Sequence, residues 1–231
     1  ISGVKFDIDR LRQYMRESAK AEEDLVAVLQ SAKNRPSPID GYFGAVYYIG
    51  PIFTAFRGTP EASQFYRLLR QEIDERVRLG KGPITPDGEM GEEKYRLVTE
   101  GPPNWTSFRD FWKMFYDEGA VVVASTYSKV GGLYDFGFRH DADHPLESLA
   151  DYCLGCYTNL NLPSRIDMIC KYIDEYQADG LLINSIKSCN SFSAGQLLIL
   201  REVEKRTGKP AAFIETDLVD PRYFSAANVK N

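Results

Sequence analysis

Cys189 is the residue whose type and position point most directly to chemistry. It lies in a polar segment directly after a predicted strand and just ahead of a predicted helix whose first turns hold Ser193 and Gln196. The amino terminus of a helix lowers the pKa of a thiol and favours the thiolate form that binds metals. A small idle thiol at the end of a strand fits this position equally well, because no second cysteine lies close to it in the sequence. The residues alone leave both interpretations open.

The other three cysteines give weaker signals. Cys153 and Cys156 form a C-x-x-C pair, which occurs in zinc, iron and redox sites, but such sites need a second pair or a particular fold. A structural or incidental role is the alternative that we favour for this pair. Cys170 lies among isoleucines of a predicted helix, and we expect it in the helix core.

Two histidines, His140 and His144, are flanked by Asp141 and Asp143. This short run could hold a metal, but it has no convergent second group of ligands, so we predict a solvated polar loop. The sequence contains no Ser-His-Asp ordering, no Walker loop and no G-x-G-x-x-G motif, which argues against the sites that these motifs build.

Hydrophobic spacing and turn residues predict the elements that position these side chains. Helices are predicted at residues 7–33, from Thr59 to Gly80, and at 106–118, 163–177 and 192–206, with a further apolar segment at 42–56 and a new helix near Pro221. Strands are predicted at 95–99, 120–127, 180–184 and 211–215. This alternation predicts an α/β fold with a parallel sheet, in which ligands sit beyond the carboxyl ends of the strands.

The glycine- and proline-rich stretch at residues 81–92 shows no hydrophobic periodicity and is the best candidate for a linker. We therefore divide the chain into a helical region at 1–80, this linker, and a carboxy-terminal α/β region at 93–231. The loops at 100–105, 184–193 and 216–221 follow predicted strands and are the candidate ligand-binding loops. Trp105 stands out in the first of them, because it lies outside the aromatic-rich helix that follows.

Composition excludes some classes of function. The formal net charge of −5 over 231 residues argues against nucleic acid as the main partner. The apolar runs are far shorter than the roughly 20 residues that cross a bilayer, and no signal peptide is recognisable, so we predict a cytoplasmic protein without membrane contact. The chain starts at Ile1 and ends at Asn231 within a predicted helix, and we expect it to be a fragment.

Several runs together resemble the family of benzoyl-CoA reductases and 2-hydroxyacyl-CoA dehydratases. The run 180–196, followed by 207–217, is similar to the last cysteine motif of that family, and 96–103 resembles the opening of its second lobe. Residues 1–38 resemble the arm that links the two lobes, and Cys156 with Asn159 and Arg165 resembles a Cys-then-Arg segment.

Within the family, the similarity is greatest to the B subunits of the ATP-dependent benzoyl-CoA reductases. It is carried at this level by the runs 131–134, 151–158 and 184–190.

The resemblance implies a 4Fe–4S cluster held by three cysteines at a cleft between two Rossmann-like lobes. Residues 93–231 would form the carboxy-terminal lobe and 1–80 the helical arm that links it to an amino-terminal lobe not contained in these residues. Cys189 matches the third ligand, Cys156 matches a common family position and is a weaker metal candidate, and the first two ligands lie outside these 231 residues. The implied activity is low-potential one-electron reduction of an aromatic acyl-CoA ring to a cyclohexadiene-carboxyl-CoA, in anaerobic aromatic degradation.

The implied partners are a homologous second iron–sulfur subunit, electron-activating subunits that bind and hydrolyse ATP, and the acyl-CoA substrate. Gln196 is a candidate donor to the thioester, and Lys187 is the second catalytic candidate. Candidate residues that orient substrate or cluster are Ser185, Ser188, Asn190 and Ser193, with Asn104 and Trp105 as candidates for the acyl-CoA. Loop or helix capping is the alternative role for each of them.

Two alternatives to the reductase stay open. A 2-hydroxyacyl-CoA dehydratase subunit would keep the cluster and the thioester but recycle the electron. A non-catalytic partner subunit would leave Cys189 as a plain thiol.

Overall fold

The computed structural model describes residues 3–41, 57–85, 88–89, 92–129 and 138–230. The predicted apolar segment at 42–56 and the run at 131–134 lie outside these described residues.

Two long helices open the chain, as predicted. Helix α1 spans Ile8–Ser31 and is capped by Asp7, whose carboxylate accepts hydrogen bonds from the backbone N–H groups of Asp9 and Arg10. Helix α2 spans Pro60–Arg78, with Thr59 as its cap and proline in its first turn. The two helices pack against each other along their lengths. No helix within the described ranges is long and apolar enough to cross a bilayer.

Six strands form two sheets among the described residues. The strands β1, Ile84–Thr85, and β2, Gly88–Glu89, form a small antiparallel pair inside the predicted linker. The strands β3, Tyr95–Glu100, β4, Ala120–Ser125, β5, Gly180–Ile186, and β6, Ala211–Thr216, form a parallel sheet in the order β4-β3-β5-β6. The predicted α/β fold is therefore confirmed. The strand predicted at 120–127 extends too far, because Thr126–Lys129 turns into a 3₁₀ helix.

The remaining helices cover both faces of the parallel sheet, which explains why β4 and β5 are buried along their whole lengths. They are α3, Phe108–Asp117, α4, Pro145–Leu154, α5, Leu162–Glu175, α6, Asn190–Ser193, α7, Gln196–Thr207, and α8, Ala226–Lys230. Phe111 and Trp112 of α3 pack with Val122 and Leu182 on one face. Helices α1, α5 and α7 contribute to a larger core on the other face.

The helix predicted at 192–206 is split into two. The single turn of α6 ends at Ser193, and α7 begins only at Gln196. Gly195 lies between them with a φ of +84°, a conformation that favours glycine and interrupts the helical hydrogen bonds. The break separates the turn that carries Cys189 from the long helix that follows it.

The larger hydrophobic core crosses the predicted linker. It contains Leu25 of α1 and Tyr66 of α2 together with Val98 of β3 and Ile169 of α5. The division of the chain at residues 81–92 remains a prediction, and the described parts on both sides of it share this core.

Arg96, at the amino end of β3, is fully buried and joins three parts of the chain. Its Nε donates to the carbonyl of Tyr176 at 2.9 Å, and its Nη1 donates to the carbonyl of Asn34 at 3.1 Å. Its Nη2 donates to the carbonyl of Ala32, and the Glu93 carboxylate balances its charge. Arg96 therefore fastens the ends of α1 and α5 to the start of the sheet.

Arg96→Met should lower the free energy of unfolding by about 3 to 5 kcal/mol, because it removes the ion-pair partner of the buried Glu93 carboxylate and the donor to three backbone carbonyls. Chemical denaturation measures this change. Arg78→Met is the matched control, since Arg78 also pairs with a glutamate three residues earlier, Glu75, but on the surface. The control should leave the free energy of unfolding close to that of the parent, and equal losses in both variants would contradict this role of Arg96.

Candidate functional site

The loops after the strands of the parallel sheet meet at its carboxyl edge, as the fold requires. Asn184 of β5 links three of these segments. Its Nδ2 donates to the carbonyl of Pro102 at 2.6 Å, and its Oδ1 accepts from Thr216 Oγ1 at 2.9 Å. The loops that follow β3, β5 and β6 are thus held together by one buried amide.

Gly101 allows the loop after β3 to approach β5 closely. Its φ is +103°, and a Cβ at this position would lie 2.2 Å from the carbonyl oxygen of Asn184. Its backbone N–H donates to Thr126 Oγ1 at 3.3 Å, at the end of β4. A side chain at position 101 is therefore incompatible with this packing.

Glu100 is a fully buried carboxyl group at the end of β3. Tyr157 Oη donates to its Oε1 at 3.0 Å, and Gln196 Nε2 donates to its Oε2. Burial raises the pKa of Glu100 to about 7, although the hydrogen bonds from Gln196 and Tyr157 and the charge of Arg165 act in the opposite direction. Glu100 thus changes its charge near neutral pH.

Glu100 was not among the predicted site residues, although the loop that it opens was. The sequence does contain one signal for its role: an acidic residue at the end of a predicted inner strand has to be either neutral or paired when it is buried. The tyrosine that donates to it is 57 residues away and the glutamine is 96 residues away, so no local pattern reveals these partners.

Cys189 lies where the sequence predicts, between the end of β5 and the start of α6. It is the amino-terminal cap residue of α6, its thiol is partly buried against the core, and its carbonyl accepts from the backbone N–H of Ser193 at 2.9 Å. All four cysteines are free thiols. Among the described residues, no three His, Cys, Asp or Glu side chains lie close enough together to hold a metal ion. A half-buried thiol at the start of a helix fits one ligand of an iron–sulfur cluster, and the other ligands would come from outside the described residues.

The segment that follows Cys156 packs against the turn of Cys189. The ring of Tyr157 stacks on Phe192, with ring centroids 5.6 Å apart, and the guanidinium of Arg165 lies 5.0 Å from the Tyr157 centroid on its face. The Cys156 thiol itself lies 3.3 Å from Thr158 Oγ1. The structure therefore brings the segment that carries Cys156 into contact with the turn that carries Cys189. Of the other thiols, Cys153 is exposed and Cys170 is only partly buried, against the core.

The candidate residues around Cys189 have different environments. Ser188, Asn190 and Ser193 share its turn, and Ser188 hydrogen-bonds Asp217 of the loop after β6. Ser185 is buried within β5. The Lys187 amine lies 3.3 Å from Glu215 Oε2 and over the ring of Tyr223, so it is directed toward β6.

The candidates further from Cys189 fall into a buried and an exposed group. Gln196 is buried against Glu100, and its Oε1 has no hydrogen-bond partner among the described residues. Asn104 is fully buried; its Oδ1 accepts from Thr106 Oγ1 at 2.9 Å, while its Nδ2 has no partner within the described part of the chain. Trp105 is 44% exposed and stacks on Phe108. Trp105 is therefore the one of these three that a ligand can reach directly.

The prediction of a solvated polar loop is correct for His144 but wrong for His140. His144 is exposed, and the neighbouring Asp141 carboxylate raises the pKa of its imidazole. His140 is buried, because its Nδ1 pairs with the Glu22 carboxylate on the buried face of α1 and its Nε2 lies 3.3 Å from Arg57 Nη2.

The whole chain is similar to known proteins of one family. The family model described as 2-hydroxyglutaryl-CoA dehydratase, D-component, matches residues 1–231. The chain is 79% identical over 231 residues to the B subunit of benzoyl-CoA reductase from Thauera aromatica, an alignment that covers 100% of the chain and 54% of that protein. It is 29% identical over 228 residues to the (R)-2-hydroxyisocaproyl-CoA dehydratase alpha subunit of Clostridioides difficile, covering 98% and 53%. The chain therefore spans about half the length of these curated relatives.

Glu100→Gln should remove a pH dependence of stability. The pKa of Glu100 is raised from 4.5 to about 7 in the folded protein, so the fold binds its proton more tightly than the unfolded chain does. The contribution of Glu100 to the free energy of unfolding is therefore fully present below pH 4.5. It decreases by about 3 kcal/mol in total as the pH rises to about 7. The variant should lack this loss.

Chemical denaturation of parent and variant between about pH 5 and about pH 8 measures the effect, and their difference in unfolding free energy should grow with pH. Glu118→Gln, at an exposed position after α3, is the control and should stay within about 0.5 kcal/mol of the parent. A difference between parent and Glu100→Gln that does not change with pH would mean that the fold does not retain the Glu100 proton.

Proposed function

Because the chain belongs to the 2-hydroxyglutaryl-CoA dehydratase D-component family, we propose that it is part of an iron–sulfur subunit of an ATP-dependent benzoyl-CoA reductase. The observation that carries this proposal is the high identity to the Thauera aromatica reductase subunit along the entire chain. The reaction would add two electrons and two protons to the aromatic ring of benzoyl-CoA and yield a cyclohexadiene-carboxyl-CoA, in anaerobic degradation of aromatic compounds.

The chemistry explains why such an enzyme needs an iron–sulfur centre. An aromatic ring resists reduction, so the first electron has to be delivered at very low potential, and the thioester carbonyl is its natural point of entry. A bound 4Fe–4S cluster would supply electrons at such a potential. Cys189 would provide one thiolate ligand, Cys156 is the weaker second candidate, and the other ligands would come from outside the described residues.

The residues at the carboxyl edge would position the acyl-CoA. Ser188, Asn190 and Ser193 share the turn of Cys189, and Trp105 offers an exposed aromatic face on the neighbouring loop. Asn104 and Ser185 are buried and would act by holding these loops.

Gln196 and Lys187 remain the catalytic candidates. The Gln196 amide donates to Glu100 and the Lys187 amine pairs with Glu215, so each would have to exchange its partner for the thioester.

The proposed partners follow from the same assignment. Relatives of this chain are subunits of larger enzymes, and we propose a homologous second iron–sulfur subunit and separate electron-activating subunits that bind and hydrolyse ATP. Free thiols at all four cysteines fit a reducing compartment, and we propose the cytoplasm.

The alternative with support is a 2-hydroxyacyl-CoA dehydratase subunit, because dehydratase subunits also match nearly the full chain, although at much lower identity. A non-catalytic partner subunit remains the third possibility.

An assay of the full-length subunit in its purified complex distinguishes the first two enzymes. With ATP and a low-potential reductant, we expect ring reduction of benzoyl-CoA and no conversion of 2-hydroxyisocaproyl-CoA. Conversion of the hydroxyacyl thioester alone would replace the reductase assignment with the dehydratase.

Cys189→Ala in the full-length subunit, purified without oxygen, should lose most of its bound iron and acid-labile sulfide, because a cluster with one ligand removed is held poorly. Cys170→Ala is the matched control, since Cys170 is also a partly buried thiol but lies on α5 away from this edge. It should keep the parent's iron content. Full cluster content in Cys189→Ala would favour the non-catalytic alternative or a different ligand set.

A further inference from the structure

Arg165, near the start of α5, is a buried arginine whose three kinds of guanidinium nitrogen all donate to backbone carbonyls. Its Nη2 donates to the carbonyl of Thr158 at 2.7 Å and its Nε to the carbonyl of Leu160 at 3.1 Å. Its Nη1 donates to the carbonyl of Ser191 at 2.9 Å. The guanidinium therefore connects the segment just before α5 to a turn that lies 26 residues after Arg165 in the chain.

Each of these segments carries one of the two candidate metal ligands. Thr158 lies two residues after Cys156, and Ser191 lies two residues after Cys189. The stacking of Tyr157 on Phe192 is a second contact between the same segments, and Arg165 lies on the face of Tyr157. One side chain thus fixes the spacing of both turns.

The turn that carries Cys189 depends on such outside support. Helix α6 spans only Asn190–Ser193, and Cys189 caps it without a side-chain hydrogen bond. A single helical turn is not stable by its own hydrogen bonds. Gly195 also separates it from α7, so the long helix does not extend through it.

Arg165 also brings a positive charge to this place. No carboxylate forms an ion pair with it among the described residues, and its charge lowers the pKa of Glu100, to which Tyr157 also donates. The buried guanidinium therefore contributes a positive charge near the Cys189 turn, while the Asp217 carboxylate that accepts from Ser188 contributes a negative one on another side.

We propose that Arg165 is a positioning residue that holds the Cys189 thiolate in one orientation toward the cluster and contributes positive charge beside it. This inference rests on the proposed function, in which Cys189 is a cluster ligand. It concerns the residue that orients the ligand and not the ligand itself. Such outer residues determine how tightly a metal centre is held and at what potential it is reduced.

Two variants of the full-length subunit, prepared without oxygen, separate position from charge. Arg165→Lys keeps the charge but not the planar fork that reaches all the carbonyls, whereas Arg165→Met removes both. Iron retention during exposure to a chelator should fall by about 10-fold in both variants. The midpoint potential from a redox titration followed by EPR should become more negative in Arg165→Met and stay close to the parent in Arg165→Lys, because a positive charge favours the reduced cluster.

Arg206→Met is the matched control. Arg206 lies on α7 and also contacts α5, through a surface ion pair with Asp167 at 2.8 Å, but it does not touch either cysteine segment. Its iron retention and midpoint potential should equal those of the parent.

Hydrogen exchange of the metal-free subunit tests the position of the turn without the cluster. Peptides that contain residues 189–193 should exchange faster in both Arg165 variants, while peptides from β3 keep the parent's protection. If Arg165→Met does not accumulate as folded protein, Arg165→Gln, which also lacks the charge, replaces it in the redox titration, and Arg165→Lys carries the iron-retention and exchange measurements.

Parent-like iron retention and exchange in Arg165→Lys would overturn the positioning role. A parent-like midpoint potential in folded Arg165→Met would overturn the role of the charge. These failures are distinguishable from failure of the proposed function: if Cys189→Ala also keeps its iron, the ligand assignment itself is wrong, whereas loss of iron in Cys189→Ala alone refutes only the role of Arg165.

Discussion

The buried guanidinium of Arg96 is the contact on which the arrangement of helices around the sheet depends. A parallel sheet leaves its strand ends open, and the helices that cover it have to be registered against those ends. Arg96 does this at the amino edge by donating to carbonyls at the ends of α1 and α5, while Glu93 balances its charge. Helix ends carry unpaired carbonyls, so a single buried arginine satisfies groups that would otherwise be costly to bury.

At the carboxyl edge of the sheet, a second buried arginine, Arg165, also donates to backbone carbonyls, but no carboxylate forms an ion pair with it among the described residues. Tyr157 contacts both Arg165 and Glu100, and burial raises the pKa of Glu100 to about 7. At the amino edge, the charge of the buried arginine is therefore neutralised by a neighbouring carboxylate. The carboxyl edge keeps a buried cation and a titratable carboxyl group close to a free thiol, an arrangement more suitable for chemistry than for stability alone.

The sequence was sufficient for features that depend on local pattern. Alternating strands and helices predicted the parallel sheet, and the strand directly before Cys189 predicted its place at the carboxyl edge. Features that depend on distant partners could not be predicted. Glu22 determines the environment of His140 from 118 residues away, and Gln196 reaches Glu100 across 96 residues. The helix break at Gly195 was also missed, because an isolated glycine within a helical pattern is usually tolerated.

The close approach of Gly101 to the Asn184 carbonyl limits how the site can evolve. Because no side chain fits at position 101 and Asn184 also holds Pro102, the first part of this loop has almost no freedom to acquire new residues. The exposed Trp105 only a few positions later has no such restriction. One short loop thus contains a constrained backbone at Gly101 and an exposed side chain at Trp105, so a substitution at position 105 can change the surface of the loop while the backbone beneath it stays the same.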